Sequence, residues 1–167
     1  MAISIEKHYN TLAPKITNFL VGNGMEYQTA CDIVQETFMR IWKMKDSVKD
    51  DPEQVSGLAF TIARNLRASY YRDNARMTYI PEVRDEDDTR GAAGPAALPS
   101  DSEYLRSRIK EALGKLPPML REAYTLFQIS ELPVKKIAEQ LGISENLVKV
   151  RVHRAKKLLQ PMLKDLL

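Results

Sequence analysis

The sequence predicts an all-α protein that consists of two small helical modules joined by a flexible acidic linker. Apolar residues recur at intervals of three and four rather than two, which is typical of helices. A stretch rich in proline, glycine and acids interrupts this periodicity near the middle of the chain. With 167 residues, 44% of them hydrophobic, the chain has enough apolar material for two small cores. The predicted boundaries are 1–77, 78–100 for the linker, and 101–167.

Charge is sorted along the chain in nearly the same three pieces. Residues 1–78 hold ten lysines and arginines against nine acids, residues 79–100 hold two against five, and residues 101–167 hold thirteen against eight. A near-neutral module, an acidic connector and a basic module follow from these counts. The basic second module predicts a polyanionic partner.

The sequence lacks the residues that several classes of function require. Cys31 is the single cysteine, so an internal disulfide is excluded, and with only His8 and His153 beside it we expect no metal site. No glycine-rich phosphate loop and no nucleophile motif is present, so we expect neither an enzyme nor a cofactor. No apolar run has the length of a signal peptide or a membrane span. A cytoplasmic, nucleoid-associated protein without direct membrane insertion is the expectation.

Three helices are predicted in the first module. The first carries an apolar stripe and ends at the glycines of 22–24, although Pro14 should start, kink or interrupt it. The second begins near residue 29 or 32 and turns Val34, Phe38, Ile41 and Trp42 inward. Residues 43–56 are polar and predict a loop. A third helix is expected from about residue 57 to 76, with Ile62, Leu66 and Tyr70 toward the core.

Four helices are predicted in the second module. The apolar positions of the first are Leu105, Ile109, Leu113 and Leu116, and the prolines at 117 and 118 end it. Two short helices follow, near 120–127 and 137–141. A longer basic helix then begins after residue 144.

The last two helices have the pattern of a helix-turn-helix. Gly142 permits a sharp turn, and Ser144 is a favourable N-cap. At about 100° per residue, one side of the last helix is apolar and faces a core. The opposite side is expected to enter a DNA major groove by its N-terminal end. The buried side consists of Val148, Val152, Ala155 and Leu159.

The outward side of this helix suggests distinct kinds of DNA contact. Most of its cations would neutralise phosphates. Asn146 has the amide geometry for adenine, Glu145 could accept from cytosine, and Val150 suits a thymine methyl group. An ordinary solvated basic helix, with a tolerated exposed valine, is the alternative. The candidate set is Glu145, Asn146, Lys149, Val150, Arg151, His153, Arg154 and Lys157.

Motifs in both modules resemble bacterial RNA polymerase sigma factors of the sigma-70 family, extracytoplasmic-function group. LPPMLREAYTL at 116–126 and KKIAEQLGISENLVKVRVHRAKKLL at 135–159 resemble region 4. DIVQETFMRIW at 32–42 resembles the region 2 signature that docks on core polymerase, and IARNLRASYYR at 62–72 resembles the segment behind minus-10 recognition. Two motifs in the expected order make the resemblance specific.

The resemblance implies a role for each segment. Asp32, Gln35 and Glu36 would bind the β′ clamp helices of core RNA polymerase, while Phe38 and Trp42 hold that helix onto its neighbours. The loop at 43–56 would capture a flipped base, and the second module would contact the β flap and the minus-35 duplex. An anti-sigma factor would regulate the chain and could hold it at the membrane. The implied minus-10 residues are Asn65, Arg67, Tyr71 and Arg72.

One rival function stays open at the level of sequence. A helix-turn-helix regulator that acts without core polymerase would use only the second module. It predicts dimerisation and a palindromic site. That interpretation leaves DIVQETFMRIW unexplained.

Overall fold

The computed structural model describes residues 4–77 and 101–166. The predicted linker, with its acids Glu82, Asp85, Glu86, Asp87 and Asp88, lies outside the described residues. Both described ranges are built from helices, and neither contains a strand, so the all-α prediction is confirmed. No helix in these two ranges is both long enough and apolar enough to cross a bilayer.

Three α-helices form the first module. They are α1 (Ile5–Gly22), α2 (Tyr27–Lys43) and α3 (Pro52–Met77), with a 3₁₀ turn at Lys45–Ser47. α1 packs on both α2 and α3, and α2 packs on α3. The core lies between them, where Phe19 and Phe60 are fully buried and meet edge to face with ring centroids 5.7 Å apart.

Four α-helices form the second module. They are α4 (Asp101–Gly114), α5 (Pro118–Thr125), α6 (Val134–Leu141) and α7 (Glu145–Leu163); a π-helical turn, Leu126–Ser130, comes after α5, and a 3₁₀ turn, Lys164–Leu166, comes after α7. α7 packs against α4, α5 and α6. The predicted helix-turn-helix is therefore formed by α6 and α7.

Some predicted helix boundaries were wrong. α3 begins at Pro52 rather than near residue 57, because a proline in the first turn lacks only an amide that would have no partner there. The Asp51 carboxylate also accepts a hydrogen bond from the Gln54 amide at 3.0 Å, which satisfies another early donor. α2 begins earlier than predicted, at Tyr27, and Pro14 lies inside α1 without ending it.

Several apolar side chains predicted to face a core do not. Trp42 is 54% exposed because it lies about 100° around the helix from Ile41, which is fully buried. Leu105 and Ile109 are also exposed, because Ala112 and Leu113 near the C-terminal end of α4 are the residues that join the buried apolar cluster with α7. Ile62, Leu66 and Tyr70 of α3 are half-buried at the margin of the core.

The two modules pack against each other, which the sequence did not predict. One continuous cluster of buried residues runs from α1, α2 and α3 into α5, α6 and α7. α1 contacts the π-helical turn and α4. A Cβ atom at Gly22 would lie 3.4 Å from Leu113 Cδ1 and 3.7 Å from Thr125 Cγ2, so the second module approaches the end of α1 closely.

The start of α7 has the predicted cap. Gly142 has a φ of 68°, and the Leu147 amide donates to Ser144 Oγ at 3.1 Å. We expect Ser144→Ala to lower the free energy of unfolding by about 1 kcal/mol, because one amide loses its partner. Ser144→Asp, which keeps an acceptor, is the control and should stay close to the wild type. Denaturant unfolding followed by circular dichroism measures both; equal destabilisation of the two variants would contradict the assignment.

Candidate nucleic-acid interface

α7 divides into an apolar side and a polar side as the sequence predicts. Val148, Val152, Ala155 and Leu159 are buried. On the other side the exposed residues include both recognition candidates and cations: Glu145, Asn146, Lys149, His153, Arg154 and Lys157. Val150 and Arg151 are half-buried, so Val150 is less exposed than the helical wheel suggests. The exposed side of α7 is therefore mainly positively charged, while its buried side packs on the other helices of the second module.

A shallow groove lies beside this face, between the start of α6 and the middle of α7. Its polar rim is formed by Lys149, His153 and Lys156, and its floor by apolar residues. The Lys156 ammonium lies 5.4 Å from the Phe127 ring centroid, within the range of a cation–π contact. This contact directs Lys156 toward α5 and its π-helical turn and away from the outward face of α7.

The minus-10 candidates on α3 have different environments. Asn65 and Arg72 are exposed, and the Arg72 guanidinium donates to Ser69 Oγ at 3.1 Å. Tyr71 is 42% exposed, and its ring meets Tyr70 edge to face. Partial burial raises the pKa of the Tyr71 phenol, while neighbouring arginines oppose that shift. Three candidates therefore remain accessible at the surface.

Arg67, the fourth candidate, contacts the second module instead of solvent. Its guanidinium donates to Glu122 Oε2 at 2.9 Å, and Arg64 donates to the same oxygen at 3.2 Å. Burial by itself would raise the pKa of the Glu122 carboxyl, but the two guanidinium groups outweigh it, and the pKa lies below its usual value. Glu122 is thus a carboxylate that bridges two cations across the modules.

The polymerase candidates lie on the outer side of α2. Asp32 and Gln35 are exposed, and Glu36 is half-exposed and accepts from Arg40 at 3.1 Å, one turn away. Asp32 and Glu36 line the same groove as Asn65, so α2 and α3 present one continuous surface. Two residues predicted for polymerase thus adjoin one predicted for DNA.

An apolar patch adjoins Gln35 on the other flank of α2. Met39 and Trp42 are each 54% exposed, and Tyr9 packs edge to face on the buried Phe38. The Lys45 ammonium lies 3.6 Å from the Trp42 ring centroid. The sequence pattern predicted an interior Trp42; its exposure instead adds apolar area to the α2 surface.

The sequence missed the residues that join the modules. Arg64, Glu122 and Gln140 are 18 to 76 positions apart, and no periodicity within a single helix relates them. Glu122 is one of eight acids in residues 101–167, so its position in the sequence does not single it out. Among the described residues, no group of three or more histidines, cysteines or acids is arranged to hold a metal ion.

Comparison with known proteins finds one family match in each module. Residues 5–77 match the family described as Sigma-70 region 2, and residues 106–159 match Sigma-70, region 4. The chain is 30% identical to the extracytoplasmic-function RNA polymerase sigma factor SigM of Bacillus subtilis over 164 residues, which is 96% of this chain and 95% of SigM. SigW of the same organism is 30% identical over 159 residues, with 88% and 80% covered.

A solved structure is similar over nearly the whole chain. It is the sigma factor RpoE in its co-crystal with the anti-sigma factor NepR from Bartonella quintana, at 29% identity and a TM-score of 0.70. The similarity covers 95% of this chain and 96% of RpoE, so it includes both modules. With a helical region 2, a helix-turn-helix region 4 and full-length relatives, the chain belongs to the extracytoplasmic-function group of the sigma-70 family and is an RNA polymerase sigma factor.

Proposed function

We propose that the chain is a non-enzymatic specificity subunit that binds core RNA polymerase and carries both promoter-reading surfaces. The outward face of α7, which is basic and belongs to a capped helix-turn-helix, supports this proposal most strongly. The same chain also exposes the polar face of α2 that contains Asp32, Gln35 and Glu36. The second helix of a helix-turn-helix fits a DNA major groove when its apolar side is buried and its opposite side carries cations. The two proposed modules comprise residues 1–77 and 101–167, and residues 78–100 form the linker between them.

α2 is the proposed docking site for the β′ clamp helices. Asp32, Gln35 and Glu36 offer carboxylate and amide acceptors to a basic partner helix. Met39 and Trp42 would add apolar contact beside them, and exposed tryptophan is among the residues that dominate interface energies. The second module is proposed to contact the β flap.

α3 and α7 are the proposed DNA-reading helices. On α3, Asn65, Tyr71 and Arg72 are accessible to an unstacked minus-10 strand, which aromatic faces and cations can hold. On α7, Lys149, Arg154 and Lys157 would meet minus-35 phosphates, while Glu145, Asn146 and Val150 would read base edges. Arg151 and His153 flank that reading surface. The segment at 43–56, which contains the 3₁₀ turn and the start of α3, is the proposed site for a flipped base.

Regulation by an anti-sigma factor is part of the proposal. The similar RpoE was crystallised with one, and the Met39 and Trp42 patch on α2 offers an apolar surface that such a partner could cover. The anti-sigma factor would then compete with core polymerase for α2. This role requires a location in the cytoplasm. There the chain would lie at the nucleoid, or the anti-sigma factor would hold it at the membrane.

Transcription from a promoter library tests the function. Purified chain is added to core polymerase and the transcripts are sequenced; start sites that appear only with the chain support the proposal. Tight binding to a palindromic duplex without polymerase, and no new start sites, would favour the helix-turn-helix regulator instead. Core polymerase alone provides the baseline.

We expect Gln35→Ala to weaken capture of core polymerase by about tenfold, because an interface side chain of this kind contributes about 1–2 kcal/mol. Binding is measured by fluorescence anisotropy of the labelled chain titrated with core polymerase. Lys149→Ala is the control and should leave capture unchanged. Equal affinities for the wild type and Gln35→Ala would exclude Gln35 from the docking surface.

A further inference from the structure

The proposed surfaces leave one buried histidine, His8, without a role. It lies in the first turn of α1, and its side chain is only 7% exposed. Its Nε2 atom lies 2.5 Å from Asp50 Oδ1. Asp50 belongs to the connector between α2 and α3, residues 44–51, which is part of the segment proposed to capture a flipped base. The pair therefore ties the start of α1 to the end of the connector, 42 positions away in sequence.

The connector is fixed to the first module by different kinds of contact along its length. At its start the backbone forms the 3₁₀ turn Lys45–Ser47. In the middle, Val48 is half-buried and packs against the hydrophobic core. At its end, Asp50 pairs with His8. The pair is thus the attachment that depends on charge. Three polar side chains of the connector are exposed: Asp46, Ser47 and Lys49.

The Asp50 carboxylate keeps its charge over the whole range in which histidines titrate. Its hydrogen bond with His8 holds the pKa of the Asp50 carboxyl below its usual value, and Lys7 and the Ser4 backbone act in the same direction against desolvation. Histidine side chains change charge between about pH 5 and 8. Within that range, a change in the strength of the pair therefore comes from the imidazole and not from the carboxylate.

Charged groups from three elements surround His8. Lys15 on α1, Glu53 on α3 and Glu131 after the π-helical turn line one crevice together with it. Lys15 is engaged by Glu131, with Nζ and Oε2 2.5 Å apart. Asp50 lies within hydrogen-bonding distance of the imidazole. The connector therefore supplies the carboxylate that responds most directly to the charge of His8.

We propose that His8 is a positioning residue for promoter reading: it holds the connector in the form that receives the flipped base, and most firmly when its imidazole is protonated. The proposal rests on the proposed role of segment 43–56. Because His8 is buried, it acts on DNA through Asp50 and not by contact. Charge-assisted hydrogen bonds are roughly twice as strong as neutral ones. Loss of the imidazole proton therefore loosens the connector and lowers the fraction of chains that can bind the strand.

The attachment of the connector is measured first, without any nucleic acid. Hydrogen–deuterium exchange is followed by mass spectrometry in peptides that cover residues 44–51, with peptides from α2 as the reference. His8→Gln and Asp50→Asn should each speed exchange in the connector about two- to fivefold, the scale of a partly exposed ion pair. Exchange in α2 should not change. Unchanged exchange in the connector of both variants would overturn the proposal, because the pair would not hold it.

A matched variant separates the pair from a general effect of charge on the connector. Asp46→Asn makes the same substitution as Asp50→Asn at another exposed acid of the connector. Its exchange should match that of the wild type. If Asp46→Asn sped exchange as much as Asp50→Asn, the attachment would not depend on His8, and the proposal would be wrong.

Binding to DNA is measured second, as a function of pH. The probe is a fluorescent single strand that carries the minus-10 element of a promoter found in the library assay. Between about pH 5.5 and 8.5, the affinity of the wild-type chain should fall about two- to fivefold as the pH rises. His8→Gln should bind at every pH as weakly as the wild type does at the highest pH, because glutamine keeps a neutral donor but cannot gain a charge.

Two further variants identify the source of the pH dependence. His153→Gln removes the other histidine of the chain, which lies on the exposed side of α7, and the pH dependence should persist in it. Asp50→Asn should abolish the dependence although His8 is present. If Asp50→Asn kept the full dependence, the imidazolium would act on DNA through net charge alone, and the proposal would be overturned. Loss of the dependence in His153→Gln would also overturn it.

The two readouts separate this proposal from the proposed function. Wild-type binding to the strand that does not change with pH would overturn the role of His8 and leave promoter reading intact. If no form of the chain binds the strand, although exchange in the connector changes, the assignment of segment 43–56 to DNA is wrong, and the role of His8 in promoter reading is wrong with it. Faster exchange in both variants, together with a pH dependence that requires both His8 and Asp50, supports both.

Discussion

Replacement of Phe60 with alanine is expected to lower the free energy of unfolding by about 3–5 kcal/mol. The Phe60 side chain is completely buried, and it meets Phe19 edge to face at 5.7 Å. The substitution removes apolar burial and leaves a cavity that neighbouring side chains fill only partly. Since whole domains are stable by only about 5–15 kcal/mol, the loss is a large fraction of the total. Denaturant unfolding followed by circular dichroism gives the value.

Two controls define the cause of that loss. Phe60→Leu keeps most of the apolar volume and should cost less than Phe60→Ala. Met119→Ala alters a side chain that is 62% exposed, and it should stay within about 0.5 kcal/mol of wild type. A small effect of Phe60→Ala, comparable to that of Met119→Ala, would mean that the core between α1 and α3 is not as described.

The second large effect is expected on the outward face of α7. The triple variant Lys149→Gln, Arg154→Gln and Lys157→Gln removes three exposed cations without disturbing the buried side. Each phosphate contact contributes about 0.9 to the slope of log affinity against log salt, so the slope should fall by about 3. At about 0.1 M salt, this corresponds to a loss of roughly a hundredfold or more in affinity. Anisotropy of a minus-35 duplex, measured across a salt series, tests both values.

A control must show whether the loss of affinity comes from the lower net charge or from the position of the cations on α7. The triple variant Lys110→Gln, Lys115→Gln and Lys164→Gln removes the same charge from exposed sites in the second module but outside α7. Its salt slope should remain close to that of wild type. If the two triple variants lost affinity equally, DNA would be attracted by the module as a whole, and α7 would not be its contact surface.

The sequence predicted α7 well because one helix contains all the required information. The interval of Val148, Val152, Ala155 and Leu159 identifies a buried side whichever helices cover it. Ser144 and Gly142 identify the start of the helix from local backbone chemistry alone. The cap and the buried side were therefore both predictable, as was the outward position of most of the candidate DNA contacts.

The environments of Trp42 and Glu122 could not be predicted from the periodicity of a single helix. Trp42 is apolar but lies beyond the sector that α1 and α3 cover, and neither composition nor spacing gives the width of that sector. Glu122 bridges Arg64 and Arg67, which belong to the other module and lie 58 and 55 positions away. Contacts of this kind depend on how the modules dock, so local periodicity carries no signal for them.

The π-helical turn at Leu126–Ser130 allows the segment formed by α5 and this turn to pack against two different helices. α5 packs on α7, whereas the turn that continues it contacts α1 and buries Leu126 and Ser130. A wider turn accommodates one extra residue and rotates the residues after it by about 100° relative to an uninterrupted α-helix. The π-helical turn thus changes the direction in which the following side chains point, so that one continuous segment contacts α7 through α5 and contacts α1 through the turn.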